Sequence, residues 1–275
     1  MATTIHPTAL VDSHAHIGAE VEIGPYAVID GGVTLRRGVK VLAHAIITGQ
    51  TDVGEETEIH MGAILGHLPQ DVAFDPSLSS SVRIGRKNVF REYTTVHRSK
   101  QPGGVTEIGD EHNFMAFSHI AHDGRIGSNV IVANNALLAG HVEVEDRAFI
   151  SGNSVIHQFC RIGRLSMISG LTRIGMDVPP FMIAEGGNEI TSMNLVGIRR
   201  AGFTLEEREK IKWAYKVLYR MGNSHGKALE ILEQDSHPIA REFVAFMRKS
   251  KRGICSHSET LRARRPAALP KEVAG

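Results

Sequence analysis

The residues best suited to chemistry cluster by arithmetic, not by adjacency. His119, His122 and Asp123 lie together, His141 follows Asp123 by eighteen positions, and Gln158 follows His122 by twice that. If the chain stacks on itself every eighteen residues, His122, Gly140 and Gln158 form one column. Asp123, His141 and Phe159 form the next, and Ala121, Ala139 and His157 the one before. Imidazoles beside a carboxylate are the material of proton transfer. As a more distant alternative, His119 and His122, three apart, could be two of three zinc ligands, as in zinc carbonic anhydrases whose histidines are supplied across a subunit interface. A single surface histidine in a chain with 15 would be incidental; four on one patch form a candidate site.

Such stacking needs a period, and the chain has one. From Ile5, steps of six meet Val11, Ile17, Ile23, Ile29, Leu35, Val41, Ile47, Val53, Ile59 and Leu65. The phase breaks at HLPQDVAFDPSLSS, resumes at Ile84, Phe90 and Val96, passes a polar excursion (RSKQPGG), and runs unbroken from Ile108 to Ile174. All 26 positions are apolar. Six fits neither the 3.6 of an amphipathic helix nor the 2 of a half-buried strand alone. It fits short strands joined by sharp corners, each with one bulky side chain inward. Four residues on, a second inward position is mostly small (Ala9, Ala27, Ala45, Ala136, Ser154), and Cys160 falls there too. Glycine after the lead residue, as in Ile17-Gly18 and Ile162-Gly163, is expected to let the chain turn without a Cβ penalty. Three hexads close a triangular coil, stacked at about 4.8 Å on the next. About ten such coils make a parallel β-helix over residues 1–190.

The pattern stops at Asp177–Pro180. Thr204 with Glu207 reads as a capping box, and Ile211, Ala214, Tyr215 and Leu218 fall at helical spacing. Shorter helical stretches are expected around 225–234 and 238–250, and the last twenty residues read as frayed. Residues 191–275 therefore form an α-helical C-terminal domain.

Hydrophobic residues make up 42% of the 275, enough for a continuous core, and 22% are charged, which argues against global disorder. No apolar run is long enough for a transmembrane segment, and the start lacks the features of a signal peptide. Cys160 and Cys255 give no disulfide framework and suit a reducing compartment. From Arg199 onward there are 17 Lys and Arg against 9 Asp and Glu, whereas the preceding residues carry 14 against 21. A basic tail on an acidic body points to an anionic partner.

At IHPTA (5–9), QD (70–71), HIAHD (119–123), ANNALLAGHV (133–142), HQFC (157–160), MDVPP (176–180) and NLVGIRRAGF (194–203), the chain resembles the UDP-N-acetylglucosamine O-acyltransferases that open lipid A biosynthesis. The resemblance covers nearly the whole chain. HIAHD followed eighteen residues later by GH is specific, since hexapeptide proteins in general do not require it. It implies left-handed coils, against the usual crossover rule, and a cytoplasmic homotrimer with active sites in clefts between adjacent β-helices. It implies no cofactor, no metal and no nucleic acid. The partners are a 3-hydroxyacyl acyl carrier protein and a UDP-amino-sugar.

Residue by residue, the resemblance makes His122 the general base, Asp123 its orienting partner and the Gly140 N–H the oxyanion donor. It places His119, His141, His157 and Gln158 at the sugar and diphosphate, Gln70 and Asp71 near the acceptor sugar, and Asn194 and Arg200 at the nucleotide. Gly170 matches the position that limits the depth of the acyl tail, and Arg199, Lys216 and Arg220 are candidates for carrier docking. Three positions depart from the family: Val72-Ala73-Phe74 follows Gln70-Asp71 where the family usually has LKY, Val196 replaces an acidic residue, and Ala201 a second arginine. All three lie near the acceptor nucleotide, so a 3-amino sugar, acylated to an amide, stands as the alternative acceptor.

Overall fold

The computed structural model describes residues 2–257. Of the twenty residues read as frayed, Ser256 and His257 instead form a short strand that pairs with Glu189 and Ile190, and the rest lie outside the described residues. Strands of two to four residues alternate with corners and stack into three parallel sheets, the faces of a left-handed prism. In each coil the chain visits a first face, a second and a third. Rungs are eighteen residues apart: Thr4 pairs with Glu22, Leu137 with Val155, Glu143 with Arg161. The two excursions lengthen single coils and the strands keep their pairing, Ile64 with Thr95 and Thr95 with His119, with a bulge between Leu65 and His67 where the first excursion departs.

The lead residues form the core because a bulky side chain from each face fills the triangle that three short strands enclose. From Ile23 to Ile174 they are buried, with Phe90 and Phe114 stacked at 4.8 Å. Ile5 is 48% exposed, since no coil lies beneath the first. The second inward position is not always small. Asn88 and His112 occupy it, buried, with Asn88 donating to the carbonyls of Gly85 and Gly109 and accepting the His112 N–H. Asn88 is tolerated there because its amide is hydrogen-bonded, whereas His112 engages only Nδ1, which accepts the Val130 N–H at 2.9 Å, and its Nε2 has no partner among the described residues.

The glycines after the lead residues do not serve the purpose expected of them. The left-handed corner positions belong to other residues, among them Asp123 (φ 60), His141 (φ 60) and Phe159 (φ 65). Gly18 and Gly163 are required by close stacking instead. A Cβ on Gly18 would lie 2.9 Å from the Leu35 carbonyl oxygen, and one on Gly163 would lie 2.4 Å from the Pro180 nitrogen.

Above the last coil, Met182–Glu185 and Glu189–Met193 pair antiparallel and extend the first face, so this hairpin spans residue 190. Among the described residues four helices follow: α1 (Leu195–Arg200), α2 (Leu205–Tyr219), α3 (His225–Glu233) and α4 (Pro238–Arg248). The capping box at Thr204 and Glu207 is present in both its bonds. Arg161 donates to the Phe246 carbonyl (2.8 Å) and Arg164 pairs with Glu242 (2.8 Å), fastening α4 to the prism. No described helix is long and apolar enough to cross a membrane.

Candidate active site

Both excursions leave the prism at one corner, between the second and third faces, on successive coils, and His122 occupies that corner one coil above the second and two above the first. The fold thus gathers every irregularity of the repeat around one column. His119 sits on the second-face strand His119–Ile120 and leads directly into His122 and Asp123. One coil up at the same corner come Gly140 and His141, and above them His157, Gln158 and Phe159.

His122 Nδ1 lies 2.8 Å from an Asp123 carboxylate oxygen, and the two side chains are 12% and 11% exposed. A carboxylate accepts, so Nδ1 carries the hydrogen and Nε2 is left as the basic nitrogen. Burial alone would raise the Asp123 carboxyl, but the donors around it outweigh that and hold it below its ordinary value. Those donors are Ser99 Oγ, His122 and the Lys100 N–H at 3.2 Å. The Asp123 N–H donates in turn to Thr106 Oγ1 at 2.8 Å, fixing the backbone beneath the pair.

Gly140 is a glycine for a reason visible in the site. A Cβ there would lie 2.5 Å from His122 Cε1 and 2.7 Å from Nε2, so the imidazole rests against the bare Cα. His141 meets His122 edge to face at 5.2 Å and stacks on Phe159 at 4.5 Å, with Nε2 3.7 Å from Asp123. Desolvation lowers the pKa of His141 and of His119, favouring neutral rings that donate and accept. His119 Nδ1 is engaged by Thr95 Oγ1 at 2.7 Å. A groove of about 330 Å³ runs along the second face, lined by Gln70, His119, His122, Leu137, Gly140 and Val155.

Within this chain a three-ligand cluster would use other residues than the pair His119 and His122. The donor atoms that converge, within 4.8 Å of one another, belong to His122, Asp123 and His141, and His119 is not among them. Cys160 is buried with its thiol pushed up to about 11 by desolvation, which makes it an interior filler and not a nucleophile.

A basic imidazole, oriented by a carboxylate and facing an apolar groove, suits removal of a proton from a weak nucleophile. The comparisons with known proteins agree with that chemistry. The chain is 40% identical over 253 residues to the acyl-[acyl-carrier-protein]--UDP-N-acetylglucosamine O-acyltransferase of Campylobacter concisus, covering 91% of this chain and 96% of that one. The chain belongs to the UDP-N-acetylglucosamine O-acyltransferase family. The Synechocystis enzyme of the same name is 39% identical over 252 residues, 91% of each chain. The crystal structure of the Francisella novicida UDP-N-acetylglucosamine acyltransferase superposes with a TM-score of 0.90 at 35% identity, over 94% of this chain and 96% of the other. The family's second-domain model, described as Udp N-acetylglucosamine O-acyltransferase, matches residues 177–255.

Within one acyltransferase chain the structure brings together His119, His122, Asp123, Gly140, His141, His157, Gln158, Gln70 and Asp71. It does not bring in Asn194 and Arg200. Asn194 caps α1, accepting the Gly197 N–H at 2.9 Å, while its Nδ2 donates to the Leu165 carbonyl at the corner between third and first faces. Arg200 is exposed at the end of α1. Gly170 lies at the remaining corner, between first and second faces. Arg199, Lys216 and Arg220 are exposed on the helical part. The pattern of sixes missed Ser99, Lys100 and Thr95, which touch the site from the lengthened coil. Thr95 and Ser99 precede His119 and Asp123 by 24 residues, one coil plus one hexad, and that offset was the available signal.

Proposed function

We propose that this chain transfers a 3-hydroxyacyl group from acyl carrier protein to the 3-hydroxyl of UDP-N-acetylglucosamine, the first step of lipid A biosynthesis. The observation that carries the reading is the His122–Asp123 pair seated on Gly140 at the mouth of an apolar groove. His122 Nε2 takes the hydroxyl proton as the sugar oxygen attacks the thioester carbonyl. The Gly140 N–H stabilises the oxyanion, a contribution of roughly 3 kcal/mol for a donor of this kind. As the C–S bond breaks, the imidazolium returns its proton to the carrier's thiolate, leaving an ester and a free thiol. Asp123 orients the ring and balances its charge without being protonated.

His119, His141, His157 and Gln158 serve the sugar and diphosphate, with Gln70 and Asp71 at the acceptor end. Asn194 and Arg200, at a different corner, serve the nucleotide only if a neighbouring chain presents them, which supports a homotrimer with shared sites. The outward column of the second face (Val28, Ile46, Ile64, Leu137, Val155) gives such a neighbour an apolar surface. The coil of Gly170 lies three above that of His122, about 14 Å along the prism. A Cβ at Gly170 would meet only the Gly152 carbonyl oxygen, at 3.5 Å, so that corner stays open to a chain of the hydroxymyristoyl class. Arg199, Lys216 and Arg220 recruit the acidic carrier, and two free cysteines suit the cytoplasm.

The test is acyl transfer from a panel of 3-hydroxyacyl carriers to UDP-N-acetylglucosamine and to its 3-amino analogue. Ester formation with the first is the expected result; transfer to neither acceptor overturns the reading.

A further inference from the structure

Two carboxylates stand at the catalytic corner, and one dipeptide holds both. Ser99 Oγ and the Lys100 N–H bond the two oxygens of Asp123, while Lys100 Nζ reaches Asp71 at 2.8 Å. The other oxygen of Asp71 accepts the Ala73 N–H at 2.9 Å, so neither end of that carboxylate is free. Gly104 makes room for this arrangement: a Cβ there would overlap Ser99 Oγ. The Asp71–Lys100 pair is partly shielded, with side chains 23% and 33% exposed. It joins the two excursions across the coil below His122, and the Lys100 bond is the first cause of a lowered Asp71 pKa. Gln70, next to Asp71, lines the same groove as His122.

We propose that Lys100 is a specificity residue: its ammonium neutralises Asp71 at the acceptor end of the groove and so biases the site toward a neutral, hydroxyl-bearing sugar. An uncompensated carboxylate there would attract an acceptor carrying a protonated amine. With Lys100 in place such a cation meets a neutralised pair and gains no net attraction. The inference rests on the acyltransferase reading above and addresses which acceptor that site prefers. Lys100 acts through Asp71 and is a positioning residue, not a catalytic one.

The experiment measures kcat and KM for both acceptors in the wild type, Lys100→Met and Lys100→Arg. In Lys100→Met the ratio of kcat/KM for the 3-amino over the 3-hydroxyl acceptor rises about fivefold, the upper range for a partly exposed ion pair. The change falls mainly on the KM of the amino acceptor and shrinks as salt is added. Lys100→Arg keeps the wild-type ratio. An unchanged ratio in Lys100→Met, equal losses for both acceptors, or Lys100→Arg behaving like Lys100→Met would each overturn the proposal. Wild-type protein that acylates neither acceptor would instead mean that the acyltransferase reading has failed.

Discussion

The second and third faces of the prism are built from the same interior and opposite exteriors. Inside, both contribute buried Ile, Leu and Val. Outside, the third face carries a ladder of alternating charge, Asp52, Arg83, Glu107, Arg125, Glu143 and Arg161, each the rung partner of the next. That face satisfies itself in water. The second face presents Val28, Ile46, Ile64, Thr95, His119, Leu137 and Val155, with Leu137 42% and Val155 39% exposed. Side chains of one strand alternate between core and solvent, so inward and outward positions vary independently. The inward positions specify the coil, and the outward ones carry the site.

The sharpest way to break this contrast is at the catalytic end. His122→Ala lowers kcat by roughly 10²–10⁴, the usual range for a positioned general base, and leaves the circular dichroism spectrum intact because the side chain faces out of the coil. Arg83→Ala, on the third-face ladder and 63% exposed, leaves kcat within about twofold. Near-full activity in His122→Ala would move the base elsewhere, with His119 the next candidate.

Beneath the second face lies a titratable group with no counterpart among the third face's exposed charges. His97 is buried, its Nδ1 has no partner among the described residues, and its ring meets His119 at 4.9 Å. Desolvation first, then the charges of His119, His67 and His122, lower its pKa from 6.5 to about 4. The unfolded chain therefore binds the proton more readily than the folded one between those values. Stability is full above pH 6.5 and falls as pH drops toward 4, by about 3 kcal/mol for this shift. Urea midpoints of the wild type across that window should follow this slope, and His97→Leu should flatten it. An equally steep slope in the variant would assign the acid sensitivity to other groups.

Much of the comparison was legible beforehand. The six-residue phase marks every inward position from Ile23 to Ile174, and stacking by eighteen puts His122 beside Gly140 and Asp123 beside His141. What escaped lies where period carries no information. RSKQPGG is irregular, so nothing in its composition announces that Ser99 and Lys100 turn back onto Asp123 and Asp71. Helix α1 has six residues, too few for a periodic signal, and Asn194 reads the same whether it binds a ligand or caps a helix. The glycine assignment failed because a sequence does not separate a need for positive φ from a need for close approach.

Assembly tests the second face directly. Leu137→Lys places a charge in the apolar column, and in a trimer joined there it costs association roughly 2 kcal/mol. Sedimentation at micromolar concentration should show smaller species than the wild type. A wild-type monomer, or a Leu137→Lys variant that sediments unchanged, would free the second face of that role.

The smallest effect belongs to the third face. Glu107 lies between Arg83, at 2.8 Å, and Arg125, at 4.0 Å, so Glu107→Lys sets three cations on successive rungs. Like charges on directly opposed positions destabilise a sheet, but these side chains are 44% to 69% exposed and water screens them well. The expected loss is about 1 kcal/mol, read as a lower urea midpoint at low salt. Because the term is Coulombic, most of it should vanish near 1 M salt, where the screening length is about 3 Å. Activity should not change, since among the described residues Glu107 lines no cavity with His122, Asp123 or His141. A loss that persists at high salt would show that the ladder packs its alkyl stems as well as pairing its charges, and the two faces would then differ less than their outward residues suggest.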